Sequence, residues 1–399
     1  MHDVPIEAAS KSDGGAGSAR VAHLGRRVSA LYGGLYLHYG FYAFLPVWLN
    51  ATGSTSTEIG VLMAIPLILR LATVAPFAAW CGRRGRVRDG IAVTAIVAAI
   101  LVTTLLIAPG HIGRVVSVVA FAIVWDQIPV LVDAYAVMAV RSHALDFGRM
   151  RVWGSIAVVA SNAAAGWALG VAGIRILPVL IAVLLLIPVL IVPILPRDRL
   201  LMRELPGRNS GWRELFADRQ LMASLVAASM VMGSHGLINS FGAIQWTASG
   251  IPPRTIGLLN ALAVASEIIA FVFGARVLSG RDPRMMIAVA SFAAALRWAI
   301  MATGPGIIAL CGAQLLQGLS ATGAILAPML IIAARVPNRL SSSAQGLNAV
   351  LLGALLALVT ALSGMIWQLG ELVAYGAMLT LALMAMPLLA VTNALATAK

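Results

Sequence analysis

Twelve apolar runs, each about 20 residues long, constrain this chain more than any other feature. They cover 28–51, 57–81, 90–108, 114–138, 151–171, 174–195, 220–249, 255–278, 285–303, 306–335, 341–369 and 371–393. A run of that length crosses the hydrocarbon of a bilayer as a helix, which satisfies its own backbone hydrogen bonds where no water can. The runs lack the two-residue alternation of a barrel strand. Composition agrees: 11% of the 399 residues are charged, against about 25% in soluble domains. The expectation is an all-α membrane protein of twelve transmembrane helices.

The net charge of +13 would suggest nucleic acid in a soluble protein, but its distribution points elsewhere. Of the 28 basic residues, 23 fall in the N-terminal segment, in alternate breaks between runs, and at Lys399. The breaks include Arg83, Arg84, Arg86 and Arg88, and the central one runs from Arg197 to Arg219. Only Arg114, Arg175 and Arg254 lie on the opposite side. Basic residues stay cytoplasmic, so both termini are expected inside, in a bacterial inner membrane, with no nucleic-acid partner. The two cysteines, Cys81 and Cys311, have no metal or disulfide spacing.

The chain divides into a disordered cytoplasmic tail (1–27), a six-helix bundle (28–195), a polar linker (196–219) and a second six-helix bundle (220–399). The bundles repeat. Trp48, Gly60 and Arg70 recur as Trp246, Gly257 and Glu267, and Ile59-Gly60-Val61-Leu62 recurs as Ile256-Gly257-Leu258-Leu259. Two same-sense halves imply a pseudo-two-fold axis along the membrane normal and a mid-membrane site between them.

Ionisable side chains inside membrane helices are costly and mark candidate sites. Arg70, Asp126, Asp133, Arg151, Glu267 and Arg297 are six such residues, three of each sign. Asp126 and Asp133 are seven residues apart, on one helix face, with Pro129 between them. A purely structural ion network is the alternative reading. His235 with Asn239 one turn on is a weaker candidate, and His38 reads as packing. Trp125 and Trp298 lie mid-helix, where they can pack or stack on a ring. Trp48, Trp80, Trp246 and Trp367 read as interfacial anchors. Gly346, Gly353 and Gly364 share a helix face and read as close-packing positions. There is no phosphate-binding GxxxxGK[ST] loop, no HExxH and no nucleophile beside a base. Nothing indicates an enzyme, a cofactor or a metal, so any transport would draw on an ion gradient.

The stretch Asp146-Phe147-Gly148-Arg149-Met150-Arg151-Val152-Trp153-Gly154-Ser155 resembles the fifth-helix entry of major facilitator superfamily symporters. It is most similar to the phenylpropionate permease branch and more distantly to lactose permease. Pro129 to Asp133-Ala134, together with Arg70, His235, Glu267 and Arg297-Trp298, carries the same resemblance. It implies that Asp133 and Arg151 form a substrate-binding acid–base pair, and that Glu267 and Arg297 match the acid and arginine of the eighth and ninth helices. Two departures stand out. Gln317 and Ser320 occupy tenth-helix positions where lactose permease has titrating residues. Gly82 stands where the loop after the second helix usually has an aspartate.

The expected function is proton-coupled symport of a small organic solute, such as an aromatic carboxylic acid of the 3-phenylpropionate kind, by alternating access. Asp133 or Glu267 would cycle a proton, with Asp126 a further candidate. Arg70, Arg151 and Arg297 would hold those acids or an anionic substrate, with Trp125, Trp298 or Tyr135 stacking its ring. The partners are the substrate, protons and the bilayer, and the chain is expected to be a monomer. The alternatives are proton symport of a sugar or nucleoside, and drug efflux by proton antiport.

Overall fold

The computed structural model describes residues 10–107, 110–143, 145–198, 212–277 and 282–390. Among these, the regular elements are helices and no strand occurs. In chain order they are α1 (Ser10–Tyr36), α2 (Tyr39–Tyr42), α3 (Leu45–Ala51), α4 (Ser56–Arg83), α5 (Val87–Thr103), α6 (Gly110–Trp125), α7 (Gln127–His143), α8 (Phe147–Ala172), α9 (Leu177–Leu185), α10 (Ile187–Ile191), α11 (Trp212–Ala217), α12 (Arg219–Gly233), α13 (Gly236–Ala248), α14 (Pro253–Val277), α15 (Pro283–Ala302), α16 (Ile307–Arg335), α17 (Ser341–Trp367) and α18 (Glu371–Leu383).

Eleven stretches among the described residues are long and apolar enough to cross a bilayer, and they coincide with the expected runs from the second to the twelfth. The first run, 28–51, is divided among the end of α1, α2 and α3. The segment expected as a disordered tail is helical from Ser10 onward. Ala, Arg and Leu favour helix there, and Leu24 and Val28 are buried in the bundle. Residues 1–9, residues 199–211 of the central break and the last nine residues lie outside the described ones.

Helix starts follow local chemistry. Thr55 and Glu58 form a reciprocal capping box at α4. Asp146, Asp218 and Asp282 cap α8, α12 and α15 by accepting from backbone N–H groups.

Three interruptions have prolines as their cause. A proline ring collides with the carbonyl four residues earlier. Pro129 faces the carbonyl of Trp125, where α6 stops; Pro46 faces that of Tyr42, where α2 stops; Pro188 faces that of Leu184, near the end of α9. The seventh span breaks without a proline, between α12 and α13. There Ser234 Oγ donates to Val231 O at 2.6 Å and His235 Nδ1 lies 3.0 Å from the same oxygen, both competing with the helix ladder.

The halves meet along two helix pairs, α4 on α17 and α8 on α14. A Cβ on Gly60 would lie 2.8 Å from the backbone of Gly364, and one on Gly166 would lie 2.9 Å from Gly257. Both contacts need the bare backbone of glycine. Gly60 corresponds to Gly257 by an offset of 197, and Gly166 to Gly364 by 198, so the two contacts are one contact repeated about the pseudo-two-fold axis. Gln368 Nε2 also donates to Thr57 Oγ1 across the halves at 2.9 Å. All of this lies away from the arginine-rich loops. Toward those loops, Gly353 still touches Leu71, but Gly346 faces open space, so it is not the close-packing position its spacing suggested.

A charged cavity between the halves

A cavity of about 390 Å³ opens between the two bundles. From the first half it is lined by Tyr39, Tyr42, Ala43, Met63, Pro66, Leu67, Arg70, Trp125, Asp126, Val158 and Asn162. From the second it takes Ile238, Asn239, Ser240, Ala243, Trp246, Asn260, Ala263, Val264, Glu267, Arg297, Gln314, Gln317, Leu356 and Thr360. The repeat organises this lining. Tyr42 and Asn239, Ala43 and Ser240, Met63 and Asn260, Pro66 and Ala263, Leu67 and Val264, and Arg70 and Glu267 are pairs 197 residues apart. Val158 and Leu356, and Asn162 and Thr360, are pairs 198 apart.

The chemistry of the two walls differs. On the first-half wall, Tyr42 stacks on Trp125 with centroids 4.4 Å apart, and Tyr39 lies 5.4 Å from the same indole. Trp125 is held by donating its Nε1–H to His38 Nε2. An indole N–H only donates, and the other ring nitrogen of His38 faces the carbonyl of Leu35, which only accepts. His38 is therefore the neutral Nδ1–H tautomer, a buried strut that fixes Trp125 beside the helix break at Asp126. His235 occupies the matching place in the second half, 197 residues on, with Nε2 3.1 Å from Ser320 Oγ.

Asp126 is buried, and its carboxylate makes no hydrogen bond or ion pair with any described residue. Arg70 also has no such partner and lines the same cavity. On the second-half wall the charges are tied down. Arg297 donates through one terminal nitrogen to Gln317 Oε1 and through the other to Gln314 Oε1 at 2.9 Å. Gln317 Nε2 donates in turn to Glu267 Oε1 at 2.6 Å, so an amide bridges acid and base. Among the described residues nine buried side-chain polar atoms lack a partner. Five belong to cavity residues: Asn162 Oδ1, Ser240 Oγ, Trp246 Nε1, Arg297 Nε and Gln314 Nε2. Buried polar groups without partners are costly, and their concentration at a cavity marks a place where a ligand or water completes them.

Of the residues singled out from the sequence, Arg70, Asp126, Asn239, Glu267 and Arg297 line the cavity; Asp133, Arg151, His235 and Trp298 do not. Asp133 accepts from Tyr32 OH at 2.7 Å and lies 3.9 Å from Arg151 Nε, whose guanidinium sits over the ring of Tyr36 at 4.5 Å. Trp298 is wholly buried, donates to Ser234 Oγ and stacks on Tyr375. Tyr135 is also buried and donates to Pro196 O, away from the cavity. Trp48 and Trp246, expected as interfacial anchors, are buried within the bundle, and Trp246 lines the cavity. The amides Asn162, Asn260, Gln314 and the tyrosines Tyr39 and Tyr42 carry no intramembrane charge and were not marked from the sequence. Pairing positions across the repeat finds Tyr42, the counterpart of Asn239.

The model of the MFS_1 like family matches residues 33–376. The chain is 27% identical over 358 residues to the probable 3-phenylpropionic acid transporter of Escherichia coli (strain K12), covering 88% of this chain and 93% of that one. Its fold resembles a mutant form of the nucleoside transporter NupG, with a TM-score of 0.80 at 17% identity, covering 92% and 99% of the two chains. It also resembles a D-xylose–proton symporter, with a TM-score of 0.69 at 12% identity, covering 91% and 96%. The two repeated bundles, the mid-membrane cavity between them and the match over most of its length have one conclusion: the chain is a multi-pass membrane transporter and belongs to the MFS_1 like family of the major facilitator superfamily.

Proposed function

We propose that the protein is a proton-coupled symporter of small aromatic carboxylic acids of the 3-phenylpropionate kind. It works in a bacterial inner membrane as a monomer with both termini in the cytoplasm. The observation that carries this reading is an acid and a base, Asp126 and Arg70, without partners among the described residues in one cavity that also has an aromatic wall. An aromatic acid has two ends to satisfy. Its ring stacks against Tyr39, Tyr42 and Trp125, and its carboxylate takes the fork of Arg70. The likeness to a probable 3-phenylpropionic acid transporter supports the same substrate class.

Coupling follows from the charges. In the empty site Arg70 is the counter-charge of buried Asp126. A substrate carboxylate on Arg70 withdraws that counter-charge, and desolvation then favours the protonated form of Asp126. One anion and one proton cross together, so the loaded site carries the same net charge as the empty one. Glu267, Gln317 and Arg297 stay linked throughout and hold the opposite wall. The paired glycine contacts hold one mouth shut in this state, and a rocking of the halves that parts them and closes the other mouth gives alternating access.

Uptake of 3-phenylpropionate into proteoliposomes under an imposed inward proton gradient tests this reading. Accumulation against the substrate gradient, abolished by an uncoupler, is the expected result; passive equilibration or no uptake contradicts it. The amides of the second wall, Asn239, Asn260, Gln314 and Gln317, favour a second reading, proton symport of a sugar or nucleoside. Competition separates the two. A benzoate-type anion should block uptake under the first reading, and a nucleoside or pentose under the second.

A further inference from the structure

A second cavity lies outside the bundle core, at the arginine-rich end. Its volume is about 290 Å³ and it is lined by Arg84, Gly85, Arg86, Arg88, Asp89, Arg197 and Asp198. It joins the loop between α4 and α5 to the end of the sixth span. Four guanidinium groups face two carboxylates, and both carboxylates are already engaged. Asp198 accepts from the backbone N–H groups of Val87 and Arg88, which caps α5. Asp89 accepts from the guanidinium of Arg88, whose other nitrogen donates to Leu195 O at 3.0 Å.

The remaining three, Arg84, Arg86 and Arg197, make no ion pair or side-chain hydrogen bond with any described residue. Arg84 instead sits over the indole of Trp80, 4.6 Å from its centroid. Trp80 is 39% exposed on the outer face of α4, where an indole marks the membrane–water interface. A cluster of unneutralised guanidinium groups in a concave site at that depth attracts a phosphate oxyanion, which each fork can bind with two hydrogen bonds.

At the same end of the second half, three arginines are paired. Arg335 pairs with Asp218 at 3.1 Å, Arg339 with Glu214 at 2.8 Å and Arg284 with Asp282 at 2.8 Å. Those three arginines are neutralised by the chain itself, whereas Arg84, Arg86 and Arg197 have no carboxylate partner among the described residues.

We infer that the cavity formed by Arg84, Arg86, Arg88 and Arg197 binds the phosphodiester headgroup of an anionic phospholipid from the leaflet at the arginine-rich end. The headgroup phosphate lies among Arg84, Arg86 and Arg197, and the acyl chains run along the outer face of α4 past Trp80. The bound lipid ties α4, the loop and the end of the sixth span together. It acts at a distance from the transport cavity and needs none of its residues.

Native mass spectrometry of the full chain in detergent tests this, with dioleoyl phosphatidylglycerol, dioleoyl phosphatidylcholine or inorganic phosphate added. Wild type should retain one phosphatidylglycerol in preference to phosphatidylcholine. The triple variant Arg84→Gln/Arg86→Gln/Arg197→Gln should bind it at least about tenfold more weakly, a difference of about 1.4 kcal/mol. A control lacking Arg141, Arg149 and Arg213, basic residues outside the cavity, should bind as wild type does. Equal binding of the two lipids, equal loss in the control, or undiminished binding by the triple variant would overturn the proposal. Competition by inorganic phosphate at millimolar concentration as complete as that by phosphatidylglycerol would also overturn it, because the site would then be one for a soluble anion. The three residues are exposed and make no ion pair among the described residues, so their loss should leave folding intact; a thermal unfolding profile of the variant without added lipid verifies this.

Discussion

The two halves present matched positions to one cavity and fill several of them with different chemistry. Where the first half has Tyr42, Arg70 and Asn162, the second has Asn239, Glu267 and Thr360. The first half leaves its acid and base, Asp126 and Arg70, without partners among the described residues. The second joins its own, Glu267 and Arg297, through the amide of Gln317. A charge held by its neighbours has little to gain from a ligand, whereas buried Asp126 and cavity-exposed Arg70, without partners among the described residues, have much. The comparison assigns binding and proton transfer to the first half, and a fixed polar wall to the second.

Substitutions can break this asymmetry. The largest effect is expected at the shared frame. A side chain on Gly166 would meet the carbonyl of Pro253 at 2.4 Å, so Gly166→Leu should abolish uptake by preventing the halves from meeting; wild-type rates in proteoliposomes would contradict the glycine contact. Next is Arg70→Gln. Losing a charge-assisted pair worth about 1.5–3 kcal/mol should weaken substrate binding by roughly ten- to a hundredfold, as measured by calorimetry or ligand-induced quenching of Trp125. Glu267→Gln should do least. The new amide oxygen can still accept from Gln317, so a change of roughly threefold in apparent affinity is expected. If the sizes at positions 70 and 267 were reversed, the working site would belong to the second half.

Much of this was legible in the chain. Eleven of the twelve apolar runs reappear as stretches long and apolar enough to span, some with a local break, because bilayer thickness sets the length of apolar helix needed. The first is broken by Pro46 and by the His38 side chain, which hydropathy does not register. The site was legible in part. Asp133 and Arg151 matched a family spacing, yet seven residues of helix carry Asp133 about 10 Å along the axis from Asp126. It shares the face of Asp126 but not its depth, and it pairs with Arg151 outside the cavity. Trp298 follows Arg297 directly, and a 100° turn of helix sends its ring into the bundle. The amide bridge of Gln317 was hidden for another reason: it replaces a titrating residue, and its role depends on three helices meeting.

The central claim is that Asp126 takes up and carries the proton when a substrate carboxylate neutralises Arg70. Asp126→Asn in proteoliposomes tests it most directly, comparing substrate exchange at equal pH with accumulation driven by a proton gradient. The account predicts that exchange persists while gradient-driven accumulation is lost. Accumulation equal to wild type in Asp126→Asn, with its loss in Glu267→Gln, would contradict it.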